Sequence, residues 1–151
     1  MTRIDFAFGA PDRLRAACRT ARKRFQAGQR LVVYCADGGR LAAFDRMLWA
    51  LEDVSFVPHV LANDALAADT PVLLTAGDPA AALALAATGD SRPWLLNLDD
   101  GCPPNFDGYE RLLEIVSDDP ADRQAARQRW RDYQNAGHAL HSHDLSRSGE
   151  T

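Results

Sequence analysis

In the stretch 122–137, DRQAARQRWRDYQNAG, the residues Arg123, Arg127 and Arg131 recur at intervals of four, which on a helix places them in one row. Trp130 follows Arg127 by three positions and Tyr133 follows Trp130 by three. A guanidinium is a rigid fork that holds carboxylates or phosphates, and an indole beside it can receive an apolar ring. Together they suit a ligand carrying an anionic group and an apolar ring. In an acidic protein, that ligand fits an acidic peptide better than a DNA backbone. The competing arrangement is a solvated helix whose Trp and Tyr point into the core.

A second group is defined by where it does not belong. Leu41, Phe44, Leu48 and Leu51 make an apolar stripe, and at about 100° per residue Trp49 falls far outside its centre. Phe56 lies seven residues further on, inside SFVPH. A large aromatic off the core-facing stripe, with another nearby, is a candidate partner contact. The alternative is a Trp buried under a neighbouring loop.

Enzyme chemistry has weaker footing. The loops Gly9-Ala10-Pro11-Asp12 and Asp37-Gly38-Gly39-Arg40 match neither G-x-G-x-x-G nor a P-loop. The adjacent glycines are expected to form a tight turn with positive φ. There is no G-x-S-x-G elbow. Asp99 and Asp100 suit turn and capping duty. His138, His141 and His143 could bind a transition metal but sit in a polar stretch without an evident rigid surround. Cys18, Cys35 and Cys102 are widely spaced and read as reduced, mostly buried thiols. The expectation is no catalytic residue, no metal and no cofactor. The rival reading is a small nucleotide- or phosphate-binding α/β enzyme using Asp37-Gly38-Gly39 and Asp99-Asp100. Another is direct nucleic-acid binding through a basic first helix.

Strands alternating with helices must position these groups. RIDFAF (Arg3–Phe8) alternates in the β period and ends at Gly9. Pro11 and Asp12 open a helix with Leu14, Cys18, Ala21 and Phe25 on one stripe, closed by Gly28 as a left-handed cap. Seven basic residues between Arg13 and Arg30 read as its solvated face. LVVYCA, PVLLTAG, RPWLLNL and RLLEIV are short apolar runs of the kind found in buried parallel strands. DPAAALALAATG is helix or loop, and Phe106–Glu110 suits a short helical segment. His59, after Pro58, falls in a loop. The last helix opens at Asp118-Asp119-Pro120 and runs to Gly137. The pattern predicts one α/β domain over residues 1–137, with a mostly parallel sheet flanked by helices. A polar, flexible tail is expected over 138–151.

Composition bounds the rest. The 151 residues are 46% hydrophobic and 25% charged, which is ordinary for one globular domain and excludes wholesale disorder. Seventeen Lys and Arg against twenty-one Asp and Glu leave a net charge of −4, unlike a protein that coats DNA with its whole surface. No apolar run approaches the roughly 20 residues needed to span a bilayer. The opening MTRIDFAFG lacks an export pattern, so the chain reads as cytoplasmic.

Two segments also carry a resemblance. Leu48-Trp49 with Ser55-Phe56-Val57-Pro58-His59, and the pattern A-R-x-R-aromatic-basic-x-Y-x-x-A-G at Ala126–Gly137, are similar to the chi subunit family of bacterial DNA polymerase III. RIDFAF, the segment through Phe25, Gly28 and Arg30, and LVVYCAD follow in that family's order, so the similarity covers roughly residues 1–140. It implies a non-catalytic accessory protein of the clamp-loader assembly, with a Rossmann-like topology that lacks a nucleotide-binding fingerprint. It also implies two partners: the psi subunit, which tethers such proteins to the clamp loader, and the acidic C-terminal tail of single-stranded-DNA-binding protein. DNA itself would be reached only indirectly. By position, Trp49 and Phe56 match the psi contact. Arg127, Trp130 and Arg131, with Val116 and Arg123, match the tail pocket. A Trp stands at 130 where the family often has Tyr.

Overall fold

The computed structural model describes residues 2–50, 57–87 and 92–145. Seven strands form one sheet: β1 (Arg3–Ala10), β2 (Leu31–Tyr34), β3 (His59–Leu61), β4 (Val72–Thr75), β5 (Trp94–Asn97), β6 (Arg111–Ser117) and β7 (Leu140–Asp144). Their order is β3-β4-β2-β5-β6-β1-β7, and every ladder is parallel. The helices are α1 (Arg13–Gln26), α2 (Gly38–Trp49), α3 (Pro79–Ala86) and α4 (Pro120–Asn135).

Burial explains the layering. β2, β4 and β5 are short apolar strands at the sheet's centre, covered on both faces as continuous hydrophobic runs require. Leu31, Val33, Leu74 and Leu96 pack with α1 and α2 through Ala17, Ala21, Leu41 and Phe44. Val32, Leu73 and Leu95 pack on the opposite face with Ala82 of α3 and with Ala126 and Tyr133 of α4. The chain crosses the sheet one way under α1 and α2 and returns under α3 and α4, so its crossovers share one hand.

Each helix opens on an aspartate. Asp12, Asp37, Asp78 and Asp119 accept hydrogen bonds from backbone N–H groups of the following turn at 2.9–3.3 Å, and proline leads α3 and α4. Such caps contribute about 1 kcal/mol each. Gly28 has φ 77° at the end of α1, as its position predicts. Gly38 and Gly39 differ from expectation: neither has positive φ, because Asp37 caps them into the first turn of α2.

Other departures have similar local causes. β1 runs past Gly9, whose φ of 87° accommodates a register shift between Phe8 and Ala10. That extra residue moves Ala10 to the α1 face, away from Ile4 and Phe6. DPAAALALAATG contains α3. Phe106–Glu110 is a turn rather than a helical segment, and His59 begins β3 rather than lying in a loop. The tail expected from 138 starts too early: Leu140–Asp144 pairs with Ile4–Phe8 as an edge strand, and ladder hydrogen bonds hold it without an apolar face. Residues 146–151 lie outside those described. Arg13 also departs from the solvated face read for the first helix. Its side chain is only 10% exposed and faces Glu114, Asp122 and Asp100. No described helix is long and apolar enough to cross a membrane.

Candidate functional site

Three strands and a helix make a recess beneath α4. Phe6 and Phe8 project from β1 toward α4, while Asp5 and Ala7 project to the other face. Val116 sits opposite Phe8 in the ladder, and Ser142 of β7 opposite Phe6. Above them α4 contributes Arg123, Ala126, Arg127, Trp130 and Arg131. This open recess has a volume of about 430 Å³, within the range of small-ligand sites.

The floor is apolar and the rim cationic. Phe6, Val116 and Ala126 are buried. Trp130 is half-buried and meets the Phe6 ring edge-on at 5.1 Å. Arg123, Arg127 and Arg131 are exposed. Arg131 donates to Gln128 at 3.0 Å, whereas among the described residues Arg123 and Arg127 have no carboxylate partner. All five residues expected at an acidic-tail pocket therefore line one recess. Phe6, Phe8 and Ser142 line it too and were missed from sequence. The alternation of RIDFAF puts Phe6 and Phe8 on one face, but only the strand order shows that this face meets α4.

A buried carboxylate orients α4. Glu114 of β6 is fully buried. It accepts hydrogen bonds from Arg129 Nε at 3.0 Å, from Tyr133 Oη at 2.6 Å and from Asn97 Nδ2 at 2.9 Å. Arg129 is 1% exposed and also donates to the Asp100 carbonyl at 3.0 Å. Burial, with Glu114 alongside, pushes the Tyr133 phenol well above its usual range, so the hydroxyl stays a donor. Tyr133 thus belongs to the core and not to the arginine–aromatic surface. With Arg129 and Tyr133 turned inward at i and i+4, the 123–127–131 row must face outward.

Trp49 ends α2 with 56% of its surface exposed. Its ring lies 4.7 Å from that of His59. His59 Nδ1 in turn contacts the Val57 carbonyl at 2.6 Å, and its Nε2 lies 2.8 Å from Asp45 Oδ1. Leu41, Phe44 and Leu48 are buried on the other side of α2, as the stripe predicts; Leu51 and Phe56 lie outside the described residues.

The groups considered for enzyme chemistry are engaged with one another. Asp37 caps α2, and Asp100 pairs with Arg40 at 3.0 Å. Asn97 Oδ1 accepts from the Asp99 N–H at 3.0 Å, forming a turn. Hydrogen bonding to Arg40 holds the Asp100 carboxyl below its ordinary range. Burial raises the Cys18 thiol to about 12 and the Cys102 thiol to about 11, far from nucleophile territory. The three histidines do not converge. His138 packs on Phe106 at 5.1 Å, while His143 Nε2 reaches Asp5 Oδ1 at 3.0 Å.

Comparison with known proteins places this geometry in context. The family profile described as DNA polymerase III chi subunit, HolC, matches residues 1–141. DNA polymerase III subunit chi of Pseudomonas aeruginosa is 35% identical over 151 residues, covering 97% of this chain and 99% of that protein. Subunit chi of Escherichia coli is 26% identical over 125 residues, 83% and 80% of the two chains. Subunit chi of Haemophilus influenzae is 22% identical over 129 residues, 85% of each.

Proposed function

The chain belongs to the DNA polymerase III chi subunit family, and from that membership we propose that it is a non-catalytic accessory subunit of the bacterial DNA polymerase III holoenzyme, acting in the cytoplasm. It links the psi subunit to the acidic C-terminal tail of single-stranded-DNA-binding protein during replication. DNA is engaged indirectly, through the protein that coats it. The observation that carries the reading is the recess under α4, where cationic Arg123, Arg127 and Arg131 rim an apolar floor closed by Trp130 and Val116.

A tail that ends in an apolar ring and a free carboxylate meets each need of that recess. The ring replaces water over Phe6, Val116 and Trp130, which supplies the hydrophobic gain. Arg127 takes a carboxylate as a two-pronged, charge-assisted pair. So small a contact gives an affinity on the order of micromolar, and several tails on one multimeric partner raise it by avidity. Trp49, exposed at the end of α2, with Phe56 seven residues on, is the psi contact.

Arg127→Ala tests the pocket. A labelled acidic peptide with a C-terminal aromatic residue should bind the variant at least about tenfold more weakly, because a charge-assisted hydrogen bond is worth roughly 1.5–3 kcal/mol. The circular dichroism melt should not change. Unaltered anisotropy titrations would reject the assignment.

A further inference from the structure

From Met47 to Ser91 the sequence holds no Lys or Arg but six acids: Glu52, Asp53, Asp64, Asp69, Asp78 and Asp90. The described part of this stretch forms the end of α2, then β3, β4 and α3. It is apolar as well as acidic. Five large apolar side chains stand exposed among the described residues. Phe8 belongs to the α4 recess, and the other four, Trp49, Leu61, Leu66 and Leu85, all fall in this stretch, 39–63% exposed. Leu61 and Leu85 line a groove of about 630 Å³ across the carboxyl ends of β3 and β4. Ala42 and Asp45 of α2 stand on one wall and Ala81 of α3 on the other. The groove reaches Trp49, because Asp45 lies 2.8 Å from His59, whose ring packs against the indole at 4.7 Å.

We propose that this groove receives the apolar face of a basic amphipathic helix, carried by the psi subunit that docks at Trp49. The inference rests on Trp49 being the psi contact and names what that partner brings to it. Exposed apolar side chains gathered around a groove mark a protein-binding surface, and a helix seats such a groove with apolar anchors at i, i+3 or i+4, and i+7. Alanines on both walls let the docked backbone come close. Between Trp49 and Gly38, which also lines the groove, α2 rises about 16 Å, the length of three turns of the incoming helix. Charge decides the character of its flanks. Asp64 and Asp69 are exposed on either side of Leu66, so Lys or Arg is attracted here and an acidic segment repelled. An added strand would gain few ladder bonds, since β3 has three residues. The two ends of the chain's surface thus take opposite partners: acid at α4, base at α3.

The test measures the affinity of the full chain for the purified psi subunit by biolayer interferometry. The double variant Leu61→Glu, Leu85→Glu should bind at least about tenfold more weakly with an unchanged melt, because it strands carboxylates in an apolar contact. Ala42→Gln, on the exposed wall of α2, serves if that melt shifts. Wild-type affinity should fall with rising salt. Asp64→Asn keeps the side-chain oxygen that accepts from the Leu66 N–H at 2.8 Å, and together with Asp69→Asn it should flatten that salt dependence. Undiminished binding by the groove variants, with Trp49→Ala still disruptive, would overturn the groove and leave the Trp49 contact standing. Full affinity in Trp49→Ala would remove the reading on which the groove rests. Wild-type binding indifferent to salt would overturn the basic helix. Dimerisation of the chain alone in sedimentation velocity, abolished by the groove variants, would overturn the proposal in favour of a second copy.

Discussion

Arg127, Arg129 and Arg131 are chemically alike and alternate along one helix, yet Arg129 has the opposite fate from its neighbours. Helical spacing made the outward row legible, since 123, 127 and 131 repeat every four residues. Nothing local marked Arg129 for burial. Its signal lies in a long-range partner, Glu114, fifteen residues earlier on a buried strand. Tyr133 was ambiguous for the same reason, because only the strand order supplies the carboxylate its hydroxyl needs. The pair allows a sharp contrast. Glu114→Ala leaves the Arg129 guanidinium buried without its counter-charge, a change that costs about 3–5 kcal/mol. Urea unfolding should show a large drop in midpoint for that variant and almost none for Arg127→Ala. Similar midpoints for the two would mean that α4 is not oriented by Glu114.

The elements that the sequence revealed were those with a pattern of their own. The runs LVVY, VLLT and WLLN sit in β2, β4 and β5 because continuous apolar stretches fit strands buried on both faces. Aspartates before α1 and α4 marked their starts. β7 had no such mark. LHSHD shows little hydrophobicity, and the strand exists because β1 offers it a free edge. One side-chain anchor of β7 is the His143–Asp5 contact. Burial alone would raise the Asp5 carboxyl, but hydrogen bonds from His143 and Arg3 outweigh it and hold the group below its usual value. A depressed folded value means that this stabilisation is present above the unfolded pKa, about 3.9. It is lost as pH falls through the lower folded value. Asp5→Asn should therefore lower Tm at pH 7, and the deficit should shrink as pH falls below the unfolded pKa and through the lower folded value. A Tm deficit that stayed constant across that range would show that the carboxylate's charge has no part in holding β7.

Net charge says little about what a surface can bind when charges are segregated. The chain carries −4 overall, yet ten of its seventeen Lys and Arg lie on α1 and α4, which pack on opposite faces of the sheet. Several acids are consumed as helix caps. The parallel, doubly covered sheet spreads the proposed contacts widely. Trp49 packs at a tilt against His59 of edge strand β3, five strand positions from β1, or roughly 24 Å at the usual strand spacing. The resemblance to a known family pointed to Trp49 and to Arg127 with its neighbours, but the separation of the two places could be seen only once the strand order was known. Sites that far apart with no shared partners should behave additively. Trp49→Ala should thus abolish co-purification with a psi-like subunit while its affinity for the acidic tail peptide matches wild type. Arg127→Ala should show the reverse, and combining the two should give the sum of both losses. If Trp49→Ala weakened peptide binding while its melt stayed normal, the two contacts would not be independent, and a rigid sheet joining two separate partners would be the wrong account.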